Sequence, residues 1–178
     1  MTIKQLSSKL VYENRWMSLR EDEVRFSGGF EGIYSVVDKP DFAAIIPIHD
    51  DGRIQLVQQY RYPVGGRYWE VPQGAWEDSP DVDPFALAVG ELEEETGYRA
   101  TEWEKLGQFY NSYGFLNQTC HLFVARGLSE GVVNREETEA GMETAAFTFE
   151  EVLAMIKSGE IPDSVTLSAL GLWKMMAG

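Results

Sequence analysis

A change in the spacing of apolar residues limits this chain to folds that mix strands with helices. Up to Val71 the apolar residues come in short runs or alternate with polar ones, as is typical of strands. From Asp83 to Gly97 they recur at helical spacing, with a suitable N-cap first, proline next and glycine last. Further strand-like runs follow, and then two helices, near residues 149–157 and 163–176. We therefore expect a mixed α/β (α+β) fold.

The strands of the N-terminal 40 residues form a separate pattern. Three short runs with a glycine-rich turn at residues 28–32 predict an antiparallel β-meander, which is too small to bury much surface alone. We expect residues 1–40 to pack on the rest of the chain or on a second copy, as a dimerisation element, and residues 41–178 to form the main domain. The predicted strands are residues 9–12, 17–26, 33–37, 42–48, 54–58, 68–71, 106–111, 119–125 and 144–149.

The charge balance restricts the partners of the chain. Its 178 residues include 15 basic and 29 acidic ones, which gives a net charge of −14 and no Lys/Arg cluster. Such a surface repels a polyphosphate backbone, so we expect no nucleic-acid partner. An acidic protein can still bind a phosphate compound if cations lie between its carboxylates and the phosphates. The composition is thus compatible with a phosphate substrate that is bound together with a divalent metal.

The single cysteine, Cys120, excludes an internal disulfide framework and a multi-cysteine zinc site. It lies in a strand-like run, which favours a buried, unreactive thiol. No run of ~18 apolar residues and no apolar N-terminal targeting stretch is present. We expect a soluble, cytoplasmic protein without a membrane partner.

Three carboxylates lie on one edge of the mid-chain helix. At about 100° per residue, Glu91, Glu94 and Glu95 fall within about 100° of one another. Carboxylates at this spacing can converge on one or two hard cations such as Mg²⁺. Like charges so close destabilise a helix by a few tenths of a kcal/mol per pair. They need either a compensating cation or full solvation, and spacing alone leaves both interpretations open.

The residues around these carboxylates resemble the Nudix signature, G-x5-E-x7-R-E-U-x-E-E-x-G-U, in which U is bulky and apolar. Glu-Leu-Glu-Glu-Glu-Thr-Gly-Tyr at 91–98 matches its second half, and Trp-Glu-Val-Pro-Gln-Gly at 69–74 looks like its opening strand and turn. Residues 58–62 and 109–115 are also similar to the ADP-ribose and ADP-sugar pyrophosphatase branch. The resemblance implies a mixed-sheet α/β/α sandwich, Mg²⁺ (or Mn²⁺ in its place) held by Glu91, Glu94 and Glu95, and a homodimer.

The chain departs from that signature in two ways. Gly90 occupies the slot of the usual arginine, which orients the glutamates, so another group must support the site or metal affinity is reduced. Counting back from Gly97 puts Trp76 in the slot of the opening glycine, although the turn glycine is Gly74. The loop between Gly74 and the helix is therefore two residues longer than in the signature. The same count puts Val82 in the first glutamate slot. The nearby acids could substitute for that glutamate, or serve as solvated loop residues or a helix cap: Glu77, Asp78, Asp81 and Asp83.

The resemblance also implies roles in hydrolysis of a diphosphate. In similar pyrophosphatases the base that activates water is often a glutamate on a late loop, which points to Glu139, with Glu94 as the alternative. A main-chain carbonyl before the turn glycine helps to bind metal in that branch, and here it belongs to Gln73. The residues expected to bind substrate are Arg61, Trp69, Glu70 and Tyr113.

These residues have structural interpretations as well. The Arg61 guanidinium can engage two phosphate oxygens, or it can form a salt bridge. Trp69 and Tyr113 can stack on a base, or they can pack in the core.

The sequence therefore predicts metal-dependent hydrolysis of a nucleoside diphosphate sugar, most readily ADP-ribose or an ADP-sugar, to a nucleoside monophosphate and a sugar phosphate. Other nucleoside diphosphate derivatives such as GDP-mannose or NADH are alternative substrates. A weakened Nudix-fold binding module is a second hypothesis, which Gly90 and Val82 would suit. A prenyl diphosphate isomerase is a third, but it would need a reactive cysteine, which Cys120 does not suggest.

Overall fold

Strands account for most of the regular structure. The computed structural model describes residues 2–79, 81–133, 135 and 141–177. Ten strands and three α-helices occur within these residues, together with a 3-10 turn at Tyr62–Val64. In chain order they are β1 (Lys4–Glu13), β2 (Ser18–Arg25), β3 (Glu31–Asp38), β4 (Phe42–Pro47), β5 (Ile54–Arg61), β6 (Gly66–Glu70), β7 (Gln73–Gly74), α1 (Pro84–Thr96), β8 (Tyr98–Tyr110), β9 (Thr119–Glu130), β10 (Glu143–Phe147), α2 (Phe149–Ser158) and α3 (Ser164–Ala177).

Strand β4 is the centre of the core because both of its faces are buried. Successive side chains of a strand point to opposite faces. Ala43 and Ile45 pack on one side against α1, while Ala44 and Ile46 pack on the other against a larger cluster. That larger cluster includes residues of β5, α2 and α3, such as Leu56. The central sheet is therefore covered by a helix on one face and by strands and helices on the other, and the α/β/α arrangement is confirmed.

The strands form three sheets. The central one has the order β7-β4-β9-β8, in which β4 and β9 run parallel and the other neighbours antiparallel. The second has the order β10-β5-β6 and is antiparallel. The third is the N-terminal meander β1-β2-β3, whose strands also run antiparallel. The predicted meander and the mixed sheet are thus both present.

The meander is fixed to the rest of the chain through the end of β3. The Val37 N–H donates to the Phe115 carbonyl oxygen at 2.7 Å, and the Val37 carbonyl oxygen accepts from the Asn117 N–H at 3.2 Å. The Asn117 side chain also donates to Asp38 at 2.6 Å. At the opposite end, the turn between β1 and β2 reaches the loop that precedes α1, where Arg15 pairs with Asp78 at 3.3 Å. The meander consequently lies against both the β8–β9 connection and that loop.

The predicted elements agree with the structure in type, and their bounds differ where apolar patterning is weak. Strand β8 begins at Tyr98, eight residues before the predicted start, and most of its side chains are exposed. This stretch is a strand because it pairs with β9, beginning with Tyr98 opposite Glu130. The two-residue strand β7 is held by pairing with β4 and is too short to show a pattern. Among the helices that the structure describes, none is both long and apolar enough to span a lipid bilayer.

Candidate active site

Helix α1 carries the three carboxylates, and its two ends are well defined. The Asp83 side chain accepts from the Ala86 N–H at 3.1 Å, which caps the first turn, and Pro84 follows. Gly97, with φ 74°, ends the helix in the left-handed conformation that glycine adopts without strain. Leu87, Ala88 and Leu92 bury one face of the helix against the central sheet. That packing leaves the neighbouring edge, with its carboxylates, beside a large cavity.

The cavity has a volume of about 870 Å³, within the range of sites that hold small molecules. Glu91 and Glu94 line it from α1, and Gln73 and Gly74 line it from β7. The rest of the wall includes polar and aromatic side chains from β5, β6, the loop between Gly74 and α1, and the turn between β1 and β2. Among these side chains are Gln59, Arg61, Glu70, Trp76 and Trp16. The structure thus brings together at one cavity five of the residues predicted from sequence, on four elements: Gln73, Glu91, Glu94, Arg61 and Glu70.

Strand β7 holds the carboxylates of α1 closely. A Cβ atom added to Gly74 would lie 2.2 Å from a carboxylate oxygen of Glu91, a distance that real Cβ atoms do not show. The Glu91 carboxylate therefore packs directly over the main chain of Gly74, and glycine is needed there for close approach. One residue earlier, the Gln73 N–H donates to Oε2 of Glu95 at 3.1 Å. Glu95 is 1% exposed, so this bond holds a buried carboxylate against β7.

The donor set fits a hard divalent cation. Glu91, Glu94 and Glu95 supply carboxylate oxygens and Gln73 supplies a carbonyl oxygen, and oxygen donors are what Mg²⁺ prefers. Two of these carboxylates face the cavity, where a phosphate group can reach them. Among the residues that the structure describes, no three His, Cys, Asp or Glu side chains are gathered into a metal-binding group. The assignment of a metal to this position therefore rests on the chemistry of these oxygen donors, and not on side chains that are already gathered around one point.

Arg61 forms an ion pair inside the cavity wall. Its Nη2 donates to Oε1 of Glu70 at 2.6 Å and its Nε donates to Oε2 at 3.2 Å, so the contact is bidentate. Gln59 adds a bond to Glu70 at 2.7 Å. Burial raises the pKa of the Glu70 carboxyl, and the charge of Arg61 opposes that rise. The Arg61 side chain stays 41% exposed. It can therefore face a ligand in the cavity while it compensates the buried carboxylate.

Other residues predicted from sequence lie elsewhere. Trp69 packs on Phe147 with ring centroids 4.9 Å apart and contributes to the core. Tyr113 is 83% exposed, on the connection between β8 and β9. Glu139 lies outside the described residues. Cys120 is fully buried, and burial raises the pKa of its thiol above the usual range, with the charge of Asp163 adding to the rise. The thiol is therefore a poor nucleophile.

Residues of the loop between Gly74 and α1 differ in what they contact. Val82, in the first glutamate slot, packs against the cluster beneath α1. Among the acids that could replace that glutamate, Asp83 caps α1, Asp78 pairs with Arg15, and Glu77 lines the cavity. Glu77 is thus the nearby acid that the structure places at the site.

Asp163 is a cavity residue that sequence reasoning did not identify. Its Oδ2 accepts from the Gln73 side chain at 3.2 Å and from the N–H and hydroxyl of Thr166 at 2.8 Å each. The Thr166 hydroxyl in turn accepts from the Val71 N–H at 3.0 Å. The start of α3 is therefore bonded to the segment that contains Gln73. The sequence indicated a helix start at this aspartate, but nothing in it showed that the helix would meet β7.

Comparison with known proteins supports the resemblance. The family described as "NUDIX domain" matches residues 39–168, and "Nucleoside diphosphate sugar hydrolase N-terminal domain" matches residues 3–37. The chain is 34% identical over 173 residues to "Methanol dehydrogenase activator" of Bacillus methanolicus, covering 94% of this chain and 90% of that one. It is 30% identical over 168 residues to "ADP-ribose pyrophosphatase" of Bacillus subtilis (strain 168), with the same two coverages.

A solved structure has the same fold. "Crystal structure of ADP compounds hydrolase" superposes with a TM-score of 0.86 at 18% identity, covering 99% of this chain and 94% of that one. The family match spans most of the chain and includes the helix with the three carboxylates, and the N-terminal match spans the meander. The chain therefore belongs to the Nudix hydrolase family.

Proposed function

We propose that the protein hydrolyses the diphosphate bond of a nucleoside diphosphate sugar, most readily ADP-ribose or an ADP-sugar, with Mg²⁺ as its metal. The products are a nucleoside monophosphate and a sugar phosphate. The observation that carries the proposal is the close packing of the α1 carboxylates on β7, at the edge of a cavity of about 870 Å³. The similarity to an ADP-ribose pyrophosphatase over 94% of the chain supports the choice of substrate.

The proposed metal site uses the carboxylates of Glu91, Glu94 and Glu95 and the main-chain carbonyl of Gln73, and Mn²⁺ is a candidate substitute. A divalent cation bound there neutralises charge on phosphoryl oxygens and lowers the pKa of bound water. The protein's net charge of −14 makes this neutralisation important, because the cavity wall itself is acidic and would repel a diphosphate.

The other polar groups of the cavity bind and orient the substrate. The guanidinium of Arg61, oriented by its bidentate contact with Glu70, is the group we assign to a phosphate oxygen. For the base that takes a proton from water we retain Glu139, with Glu94, which lines the cavity, as the alternative. Trp69 and Tyr113 are not among the residues that line the cavity, and their contact with substrate stays a prediction.

We further propose that residues 1–40 act as a dimerisation element and that residues 41–178 form the hydrolase domain. Every residue of β1 is exposed in the single chain, and several of its side chains are apolar. An exposed strand with apolar side chains is a surface that proteins usually cover.

A substrate panel tests the reaction. The purified protein is incubated with Mg²⁺ and, separately, with ADP-ribose, GDP-mannose, UDP-glucose, NADH and a dinucleoside polyphosphate, and the products are separated by anion-exchange chromatography. We expect ADP-ribose or an ADP-sugar to give the highest kcat/KM. If metal binding is confirmed by calorimetry and no compound is cleaved, the hydrolase proposal is wrong, and a binding module becomes the better description.

A matched pair of glutamate variants on one helix tests the site. Glu95→Gln keeps the size of the side chain and an acceptor for the Gln73 N–H, but removes the negative charge, so we expect turnover to be lost while the fold is retained. Glu93→Gln is the control, since Glu93 pairs with Arg99 on the exposed side of the same helix and should leave kcat unchanged. Near-normal turnover in Glu95→Gln, with unchanged circular dichroism, would place the site elsewhere.

A further inference from the structure

Gly90, in the slot of the usual arginine, lies under an aromatic ring. A Cβ atom added to Gly90 would be 2.3 Å from Cζ2 and 2.8 Å from Cη2 of Trp76. Both distances are below any that real Cβ atoms show, so even alanine cannot be placed there unless the indole moves. The far edge of the Trp76 ring therefore rests on the backbone of α1, one residue before Glu91.

Trp76 is held from several directions. Its carbonyl oxygen accepts from the Ser79 N–H at 2.9 Å, which closes a turn, and its ring packs on the apolar cluster beneath α1. It lines the main cavity and also a smaller recess of about 230 Å³, which it shares with Arg15 and Asp78. The pair of those two residues, at 3.3 Å, ties the far side of the loop to the meander. The indole thus contacts α1 beside the carboxylates.

Gly90 and Trp76 depend on each other. An arginine at position 90 would need the space that the indole occupies, and the indole reaches that space from a loop two residues longer than the signature has. The two departures from the signature are therefore one structural feature. Packing of an aromatic ring on a glycine fixes the distance between a loop and a helix, because a bare backbone allows close approach.

We propose that Trp76 is a positioning residue that replaces the missing arginine by packing: its indole, seated on Gly90, holds α1 against the loop so that the Glu91 carboxylate stays over Gly74. The inference deepens the proposed function and rests on it for the identity of the metal site. Unlike an arginine, the indole brings no positive charge, so the carboxylates depend on its shape for their placement.

A double-mutant cycle with a conservative aromatic change tests this. Trp76→Phe keeps an aromatic ring but lacks the Cζ2 and Cη2 atoms that meet position 90. Gly90→Ala is made in both the wild-type and the Trp76→Phe backgrounds. Gly171→Ala in α3 is the matched control, because an added Cβ there meets nothing within 4 Å. For every variant we would measure the dissociation constant of Mn²⁺ by calorimetry without substrate, the thermal midpoint in chelator, and kcat and KM for ADP-ribose.

We expect Gly90→Ala alone to weaken Mn²⁺ binding about 10- to 100-fold, as loss of groups that orient metal ligands does, and to lower kcat more than it raises KM. In the Trp76→Phe background the same change should cost less than about threefold, because the clash is gone, and the two changes should be non-additive. Gly171→Ala should leave Mn²⁺ binding unchanged. A purely structural role for the contact would lower the thermal midpoint in chelator without changing the Mn²⁺ constant.

The results separate this inference from the proposed function. If wild-type protein binds Mn²⁺ and cleaves ADP-ribose, but Gly90→Ala has the same effect in both backgrounds or no effect in either, the role of Trp76 is wrong and the hydrolase proposal stands. If wild-type protein neither binds Mn²⁺ nor cleaves any compound of the panel, the metal site itself is wrong, and the inference falls with it.

Discussion

At the scale of single residues, the candidate site depends on close approach between a glycine and a carboxylate. Gly74 allows the Glu91 side chain to lie on the main chain of β7, and its neighbour Gln73 donates an N–H to Glu95. Two successive backbone units of a very short strand therefore set the positions of two of the three carboxylates.

Gly74→Ala is expected to reduce activity strongly while it changes stability little. The added methyl group meets the end of a flexible side chain, which can rotate away, so the free energy of unfolding should change by under about 1 kcal/mol. The displaced Glu91 carboxylate should lower kcat/KM by about 100-fold, since a misplacement of about 1 Å can have that effect. Urea unfolding and steady-state kinetics on ADP-ribose measure the two quantities.

Gly28→Ala is the control for that change, because an added Cβ at this turn glycine meets nothing within 4 Å. It should leave both stability and kcat/KM close to wild type. Unchanged kcat/KM in Gly74→Ala would show that the placement of Glu91 over β7 does not matter to the reaction.

The sequence predicted the three carboxylates and Gln73 and Gly74 because a linear signature contains them. Asp163 was not predicted as a cavity residue, since its contact with Gln73 joins positions 90 residues apart. The packing of Trp76 on Gly90 was also hidden: the sequence showed both residues as departures from the signature, and only the fold shows that they touch. Contacts between distant segments leave no local pattern in one sequence.

At the scale of elements, the strength of the apolar pattern decided what could be predicted. Helix α1 was predicted within one residue at each end because its cap, proline and terminal glycine are all readable. Strand β8 was predicted too short because its first half is mostly polar, and β7 was missed because it has two residues. Hydrogen bonding to a neighbouring strand, which a single segment cannot reveal, determines both.

Removing either of two helix caps should lower stability, but removing only one of them should also lower activity. Thr148 caps α2, where its hydroxyl accepts from the Glu151 N–H at 3.2 Å, and Asp163 caps the first turn of α3 through the Thr166 N–H. Replacing either with alanine should cost about 1 kcal/mol in the free energy of unfolding. Only Asp163→Ala also removes one of the two bonds that hold the Gln73 side chain, the other being to Glu70 at 3.3 Å, so it alone should lower kcat/KM, by about tenfold or more.

Urea unfolding measures the change in the free energy of unfolding. Steady-state kinetics, at a temperature where both variants are fully folded, measure the change in kcat/KM. Equal kcat/KM values for the two variants would mean that the bond between Asp163 and Gln73 contributes nothing to the site. A loss of activity in Thr148→Ala would mean that general destabilisation accounts for both.

At the scale of the whole molecule, three sheets converge on one cavity. Strands β5 and β6 supply Gln59, Arg61 and Glu70, the central sheet and α1 supply Gln73, Glu91 and Glu94, and the turn between β1 and β2 supplies Trp16. The sequence predicted the meander and the mixed fold, but the position of that turn at the cavity wall depends on the whole assembly. The meander is therefore part of the site's surroundings as well as a candidate interface.

The N-terminal meander leaves several large apolar side chains exposed in the single chain. All ten residues of β1 are exposed, and so are Phe30, in the turn between β2 and β3, and Ile33, on β3, at 71% and 63%. Strand β1 is also the outer strand of its sheet, so one row of its backbone groups has no neighbouring strand within that sheet. Edge strands with apolar side chains are normally covered. A stable dimer interface buries about 1,200–2,000 Å² in total, and a ten-residue strand with its adjoining apolar residues can contribute to that area on each copy.

We therefore predict a homodimer, with light scattering giving about twice the chain mass of 20.1 kDa across the micromolar range. Leu10→Asp places a charge in the middle of β1, where the side chain is 56% exposed in the single chain, and should shift the mass toward that of one chain without unfolding the protein. Met175→Asp is the matched control, because Met175 is 74% exposed on α3, which is not part of the meander, and the dimer should persist. A wild-type mass equal to one chain would reject the interface. Dissociation by both variants alike would show instead that β1 has no special part in it.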